Sequence, residues 1–125
     1  MGPWIVRLLS LGMVVSALAA CAHGPIAGHL TRPGQPPAPA VLTYRSSFFG
    51  GSGKLSATLP TGEHFTGTYQ LAPRDPKRQM RASLKGDRGS TMLCDFTLNE
   101  PGVGPDGGGT VHCQLSSGGA FDAAF

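Results

Sequence analysis

Charged side chains are scarce in this chain, which has 10 Lys and Arg and 7 Asp and Glu among its 125 residues. The chain also contains 19 glycines and 11 prolines, and this composition excludes a charge-driven disordered protein and a helical bundle. The formal net charge of +3 is too small to favour a nucleic-acid partner. The longest apolar run, near the N-terminus, is shorter than the roughly 20 residues that a membrane-spanning helix needs.

The first 20 residues have the pattern of a signal peptide. Arg7 precedes an apolar run over residues 8–18, and two alanines follow it. This is the order of a basic start, an apolar core and small residues that fit a signal peptidase. We therefore expect residues 1–20 to be removed, which leaves 125 − 20 = 105 residues, enough for one small domain.

Cys21 follows the two alanines directly, and Leu18-Ala19-Ala20-Cys21 resembles the lipobox of bacterial lipoproteins. The resemblance implies that a diacylglyceryl group is joined to the Cys21 sulfur, that the chain is cut before Cys21, and that the new N-terminus is acylated. Two or more acyl chains hold a protein firmly in a bilayer, at about 0.8 kcal/mol per buried CH₂. The alternative is an ordinary secretory signal followed by an unmodified cysteine.

The resemblance also implies a location in the bacterial envelope. In lipoproteins of this kind, Asp after the cysteine retains the protein in the inner membrane, whereas this chain has Ala22. We therefore expect the outer membrane. The chain resembles small proteobacterial outer-membrane lipoproteins that have no assigned activity.

The other two cysteines, Cys94 and Cys113, are predicted to form a disulfide. An even pair in a small exported domain favours this interpretation, and a loop of about 20 residues closed in this way contributes about 3 kcal/mol. A two-cysteine metal site is the alternative. It lacks Cys-x-x-Cys spacing and has only His112 as a local histidine partner, so no metal or cofactor is expected.

Residues 22–40 contain five prolines and three glycines, which predicts a linker with polyproline II character. Such a linker would span about 60 Å when extended. Its histidines, His23 and His29, would be solvated. The predicted organisation is a signal peptide over 1–20, a lipidated cysteine and linker over 21–40, and a β domain over 41–125.

The β domain is recognised from apolar residues that recur at every second position. Glycine-rich turns separate these alternating segments. The pattern predicts an all-β fold, a small antiparallel meander of about six or seven strands that forms either a barrel or a sandwich. Cys94 and Cys113 both fall on the inward face of their strands.

Two segments of the β domain are similar to each other. Residues 54–69 align without a gap with residues 110–125, at an offset of 110 − 54 = 56. Phe65 then matches Phe121. The similarity is either an internal duplication or the general likeness of two hairpins, and both interpretations predict the same strand-turn-strand unit.

The most suggestive binding feature is a group of six cations between residues 74 and 88. Arginine and lysine side chains on a strand face could bind lipopolysaccharide phosphates, anionic lipid, peptidoglycan carboxylates or an acidic envelope protein. The alternative is a charged edge strand that prevents aggregation. The six residues are Arg74, Lys77, Arg78, Arg81, Lys85 and Arg88.

The sequence predicts no catalytic residue. Residues of a nucleophile set are present on polar strand faces and in one turn, but no nucleophile elbow or metal signature fixes their geometry. The glycines between residues 102 and 109 lack the Lys-Ser/Thr ending of a phosphate loop. The residues considered for the nucleophile set are His64, His112, Asp95, Asp122, Ser116 and Ser117.

The favoured function is therefore that of a lipid-anchored envelope lipoprotein that is not an enzyme and acts as an interaction or structural module. An alternative comes from residues 116–121, which are similar to the Ser-Gly-rich turn of the membrane-bound inhibitors of c-type lysozyme. That resemblance implies a turn that enters a carboxylate-lined cleft and inhibits a cell-wall hydrolase. The sequence departs from that family at Phe121, where the family has Tyr.

Overall fold

The computed structural model describes residues 23–47 and 51–125, and in them eight antiparallel strands close into a barrel. The all-β prediction is confirmed, with more strands than the six or seven expected. No helix among the described residues is long and apolar enough to cross a membrane. The strands are β1 (His23–Thr31), β2 (Ala38–Ser46), β3 (Ser52–Thr58), β4 (His64–Gln70), β5 (Gln79–Gly86), β6 (Thr91–Leu98), β7 (Gly109–Leu115) and β8 (Ala120–Ala124). A 3₁₀ helix, Pro105–Gly107, lies between β6 and β7.

The core lies inside the barrel and is built from alternate residues of each strand. On β6, Met92, Cys94, Phe96 and Leu98 point inward, and the residues between them are exposed. Eight strands enclose an interior just wide enough for side chains to fill. The buried apolar residues form one continuous cluster, so the sequence periodicity translates directly into the inner and outer faces of the barrel.

The prediction of a linker over residues 22–40 is wrong for most of that segment. His23–Thr31 is strand β1, and β2 begins at Ala38, before the predicted start of the β domain at residue 41. Ile26 and Leu30 in β1 are completely buried. Strand β1 pairs with β2 on one side and with β8 on the other, so it closes the barrel.

The positions of the prolines explain why this segment forms strands. Pro25 lies in the part of β1 that pairs only with β2, because β8 pairs with β1 only from Gly28 onward. Pro39 lies in the part of β2 that pairs only with β1, because β3 pairs with β2 only from Leu42 onward. A proline lacks an N–H donor, and a strand tolerates it where one side has no partner strand. The other three prolines lie in the turn between β1 and β2.

The two inward-facing cysteines are joined. Cys94 and Cys113 lie directly opposite each other on β6 and β7, and their sulfur atoms are 2.05 Å apart. Both residues are buried in the core. The disulfide therefore links two neighbouring strands inside the barrel.

The two similar segments are equivalent hairpins on opposite sides of the barrel. Residues 54–69 belong to β3 and β4, and residues 110–125 belong to β7 and β8. Phe65 and its counterpart Phe121 are both buried. Because β3 and β7 are four positions apart in a ring of eight strands, the two hairpins are related by about half a turn around the barrel axis.

The two ends of the barrel differ in their connections. The end that carries the start of β1 also carries the connections after β2, β4 and β6, and we call it the loop end. The other end carries the connections after β1, β3, β5 and β7, and we call it the turn end. Since β1 begins at His23, the loop end is the end next to Cys21.

Candidate functional site at the loop end

The structure does not bring the six predicted cations together on one surface. Arg74, Lys77 and Arg78 lie in the connection between β4 and β5, at the loop end, and all three are exposed. The backbone of Arg78 has φ 55°, a left-handed conformation. The strand face considered as a binding surface for the cations therefore does not include Arg78, which precedes β5.

The other three cations lie further along the chain. Arg81 and Lys85 are on the outer face of β5, and Arg88 is in the turn between β5 and β6, at the turn end. Arg81 Nε lies 3.0 Å from Asp95 Oδ1. Arg88 Nη1 donates a hydrogen bond of 2.7 Å to the carbonyl oxygen of Thr61. Arg81 and Arg88 thus already have partners within the barrel.

Glu63 holds the turn end together, and no sequence pattern identified it. Its side chain is buried, with 7% of the residue exposed. Its Oε2 accepts hydrogen bonds from the backbone N–H groups of Arg88, at 3.0 Å, and Ser90, at 3.1 Å. These charge-assisted bonds join the turn after β3 to the turn after β5. Glu63 is 25 or more positions away from both residues in the sequence. No local sequence pattern links residues so far apart, so these hydrogen bonds could be identified only from the folded structure.

A pair of cations that no sequence pattern identified also lies at the loop end. Arg45 and Lys54 face each other directly on β2 and β3. Both point outward from the barrel and are exposed. Like charges in directly opposite positions on neighbouring strands repel each other. Neither residue forms an ion pair within residues 23–47 and 51–125.

The groove around this pair is polar. It has a volume of about 420 Å³ and is lined by the two cations together with hydroxyl and amide side chains. Hydroxyl and amide groups can donate hydrogen bonds to an anion. The side chains that line the groove include Ser46, Ser47, Ser52, Thr68 and Gln70.

The net positive side-chain charge of the described residues is concentrated at the loop end. Arg81 and Asp95 neutralise each other in their ion pair. At the loop end, five cations and three acids leave 5 − 3 = +2, and elsewhere three cations and three acids leave 3 − 3 = 0. The loop-end cations are Arg45, Lys54, Arg74, Lys77 and Arg78, and the loop-end acids are Asp75, Glu100 and Asp106. The cations elsewhere are Arg32, Lys85 and Arg88, and the acids elsewhere are Glu63, Asp87 and Asp122.

A row of charged and ionisable side chains crosses the outside of five strands. Each member lies directly opposite the next, in the order Arg81, Asp95, His112, Asp122 and His29. His112 Nδ1 is 2.5 Å from Asp122 Oδ1, and both side chains are about half exposed, at 49% and 60%. The row alternates in sign when histidine is protonated, so it pairs charges across neighbouring strands.

The structure does not assemble the remaining residues of the nucleophile set. His64 Nδ1 lies 2.9 Å from Thr58 Oγ1, at the turn end. Ser116 Oγ accepts a hydrogen bond of 2.8 Å from the backbone N–H of Thr91. Of the residues considered, only His112 and Asp122 interact directly. In the described part of the chain, no three His, Cys, Asp or Glu residues are grouped so that they could hold a metal ion.

Two tyrosines close the barrel interior beneath the loop end. The Tyr44 hydroxyl donates a hydrogen bond to Asp106 of the 3₁₀ helix. Burial, and then the hydrogen bond to Asp106, raise the pKa of Tyr44 to about 12. Burial also raises the pKa of Tyr69. The Tyr69 hydroxyl is buried and has no hydrogen-bond partner among the described residues.

These observations describe a barrel with a filled interior and a net positive side-chain charge at the loop end, next to Cys21. The chain was compared with protein-family models, curated proteins and solved structures, and none of the three comparisons found a match.

Proposed function

We propose that the protein is a lipid-anchored lipoprotein of the bacterial envelope, held in the outer membrane by acyl chains on Cys21. Its barrel acts as a non-enzymatic interaction or structural module. The observation that carries the proposal is the position of Leu18-Ala19-Ala20-Cys21, which ends two residues before the first strand of the barrel. Cleavage before Cys21 would remove residues 1–20 and leave all eight strands intact.

The use of the other cysteines supports this role for Cys21. The chain has three cysteines, and Cys94 and Cys113 are joined to each other inside the barrel. Cys21 therefore has no cysteine partner left within the chain. A thioether to a diacylglyceryl group would use its sulfur without disturbing the disulfide.

The filled interior supports a function that uses the outer surface. Apolar side chains from every strand occupy the space inside the barrel, as expected for eight strands. The outer face offers the charged row described above, and the turn end faces away from Cys21. Both are accessible to a soluble or wall-bound partner when the loop end is held at a membrane.

The anchor is tested by labelling growing cells with radioactive palmitate and separating their inner and outer membranes. The wild-type protein is expected to carry the label and to fractionate with the outer membrane, and Cys21→Ser is expected to lose the label. Ala22→Asp is the matched control, because it should keep the label and move to the inner membrane. Absence of label from the wild type, or label on Cys21→Ser, would contradict the anchor.

The interaction role is tested by placing a photo-crosslinking amino acid in living cells at Ser117, in the turn after β7, or at Gln114, on the outer face of β7. Both residues are exposed. The proposal predicts that at least one position captures a single defined envelope component. Equal capture by an unrelated lipoprotein that carries the same crosslinker would contradict a specific interaction.

Inhibition of lysozyme is a second candidate, favoured by the position of the turn after β7. Residues 116–119 lie at the turn end, and Ser116 and Ser117 are exposed. A turn that faces away from the anchor could enter the cleft of an approaching hydrolase. The candidate predicts that the protein from Ala22 to Phe125 slows c-type lysozyme on purified cell walls and that Ser117→Ala weakens the effect. Unchanged lysozyme rates at excess protein would exclude it.

A further inference from the structure

We infer that the loop end of the barrel is a binding surface for the anionic headgroups of the membrane that holds the anchor, with Arg45 and Lys54 as its central phosphate-binding pair. The inference rests on the proposed anchor at Cys21. It goes beyond the anchor by assigning the end of the barrel that faces the lipid and the side chains that contact it.

The short distance between the anchor and the barrel is the first argument. His23, the first residue of β1, is only two positions after Cys21, and two extended residues span at most about 7 Å. Arg45 lies directly opposite His23 on β2, about 5 Å further away. The backbone of Arg45 is therefore within roughly 12 Å of the lipidated residue, which is about one and a half times the Debye length of about 8 Å at physiological ionic strength.

A long linker would have removed this constraint. A polyproline II segment over residues 22–40 would place the domain up to about 60 Å from the bilayer, where screening abolishes attraction to the headgroups. Because His23–Thr31 is a strand of the barrel, the loop end cannot leave the membrane surface without pulling on the anchor or unpairing β1.

The charge distribution is the second argument. All of the net side-chain charge outside the Arg81–Asp95 pair is at the loop end, which carries +2, whereas the rest of the barrel is neutral. An anionic membrane surface attracts cations held within about a Debye length. The end of the barrel nearest the anchor is thus the end that such a surface attracts.

The Arg45–Lys54 pair is the third argument. Two like charges in directly opposite positions on neighbouring strands oppose folding, and the described residues provide no acidic partner for either of them. A phosphate between the two cations would neutralise the repulsion. The Thr68 side chain lines the same groove and can donate a hydrogen bond to a phosphate oxygen.

An exposed apolar side chain lies at the same end. Val103, in the connection between β6 and β7, is 54% exposed. The two other large apolar side chains that are exposed in the described residues, Val41 and Leu93, lie on separate strands. An apolar side chain beside cations suits the boundary between headgroups and acyl chains.

The test measures binding of the unlipidated protein, Ala22 to Phe125, to sedimentable vesicles. All eight strands and the disulfide lie within residues 23–125, so this chain contains the complete barrel. The vesicles contain phosphatidylglycerol and phosphatidylcholine in about equal amounts, and pure phosphatidylcholine vesicles give the background. The inference predicts binding to the anionic vesicles that weakens as the salt concentration rises.

Two double variants with the same total charge locate the surface. Arg45→Glu with Lys54→Glu is expected to weaken binding at least about 25-fold, since each cation at a membrane surface contributes about fivefold. Arg32→Glu with Lys85→Glu alters cations away from the loop end and is expected to weaken binding by less than about threefold, because charges beyond a Debye length are screened. The first double variant still has like charges in directly opposite positions on β2 and β3, so its stability should remain close to that of the wild type.

Equal losses in the two variants would overturn the inference, because binding would then depend on total charge and not on the loop end. Wild-type binding to purified peptidoglycan but not to anionic vesicles would also overturn it. The anchor is judged separately by palmitate labelling. If the protein carries the palmitate label but does not bind anionic vesicles, only this inference is contradicted. If the protein carries no label, the anchor is contradicted, regardless of the result of vesicle binding.

Discussion

The ring of Tyr69 occupies the space next to Gly53, its direct partner on the neighbouring strand. The two residues face each other on β4 and β3, and both are buried. A Cβ atom at position 53 would overlap the phenol of Tyr69 and the carbonyl oxygen of Arg45. The absence of a side chain at residue 53 therefore allows the tyrosine to lie across the strand beneath the loop end.

Gly53→Ala is expected to destabilise the barrel by about 1 to 3 kcal/mol, because the added methyl group displaces the Tyr69 ring or the β2 backbone. Urea unfolding measures the change. Gly102→Ala is the control, since the nearest atom to its Cβ would be Pro73 Cβ, at 4.0 Å, and its effect should be within about 0.5 kcal/mol. Equal stability of the two variants would show that the ring does not need the space at Gly53.

Tyr44→Phe and Tyr69→Phe are expected to have different effects on stability, although each removes one tyrosine hydroxyl. Tyr44→Phe removes the hydrogen bond to Asp106 and should cost about 1 to 3 kcal/mol, as for bonds to charged groups. Tyr69→Phe removes a hydroxyl that has no partner in the described residues. It should be neutral or stabilising, because an unpaired buried polar group is unfavourable. The free energies of unfolding of the two variants are compared by urea unfolding. A larger loss of stability for Tyr69→Phe than for Tyr44→Phe would contradict the conclusion that Tyr44 is hydrogen-bonded and Tyr69 is not.

Stability should decrease as the pH rises from about 10 to about 12. The pKa of Tyr44 is raised from 10.0 to about 12 in the folded protein, so the unfolded chain loses this proton at a lower pH than the folded chain. Rising pH therefore favours unfolding in this interval, and the stabilisation is fully present below pH 10. Urea midpoints at a series of pH values measure the effect, with Tyr44→Phe expected to have a shallower decline. An equal decline in both proteins would contradict the role of Tyr44.

Replacement of both core cysteines should weaken the barrel without changing its strand order. Cys94 and Cys113 are 19 positions apart, and a loop of that size corresponds to about 3 kcal/mol in the chain-entropy model. Cys94→Ala with Cys113→Ala is expected to lower the free energy of unfolding by about 2 to 5 kcal/mol. Circular dichroism of the variant should retain the β spectrum at low temperature. A variant as stable as the wild type would show that the disulfide contributes little.

Local sequence signals predicted the central and C-terminal hairpins well. The alternation of Leu55, Ala57 and Leu59 and the glycine turns that follow are visible in the sequence, and these residues are buried in the structure. The inward orientation of Cys94 and Cys113 follows from the same alternation. Period-two patterning works here because one face of every strand packs in a single core.

Strand β1, which closes the barrel, was missed for a physical reason. Prolines dominate residues 22–40, and proline composition predicts a linker when the neighbouring strands are unknown. In the barrel, Pro25 and Pro39 lie where one side of each strand has no partner. The sequence feature that indicated a strand here was the spacing of Ile26 and Leu30, which lie on one strand face with Gly28 between them and are both buried.

The loop-end pair could not be found from local sequence alone. Arg45 and Lys54 face each other only because of the register between β2 and β3, and a shift of one residue would place them on opposite faces. The same dependence on register applies to Arg81 and its partner Asp95. Composition showed a small positive charge, and the fold was needed to show that this side-chain charge lies at the end next to Cys21.

The most direct test of the proposed anchor is the mass of the mature N-terminal peptide of protein extracted from bacterial membranes. The expected peptide begins at Cys21 and carries a diacylglyceryl group on sulfur and an acyl group on nitrogen, followed within two residues by the barrel. An unmodified Cys21, or a mature chain that begins at another residue, would contradict the anchor and the orientation of the barrel that depends on it.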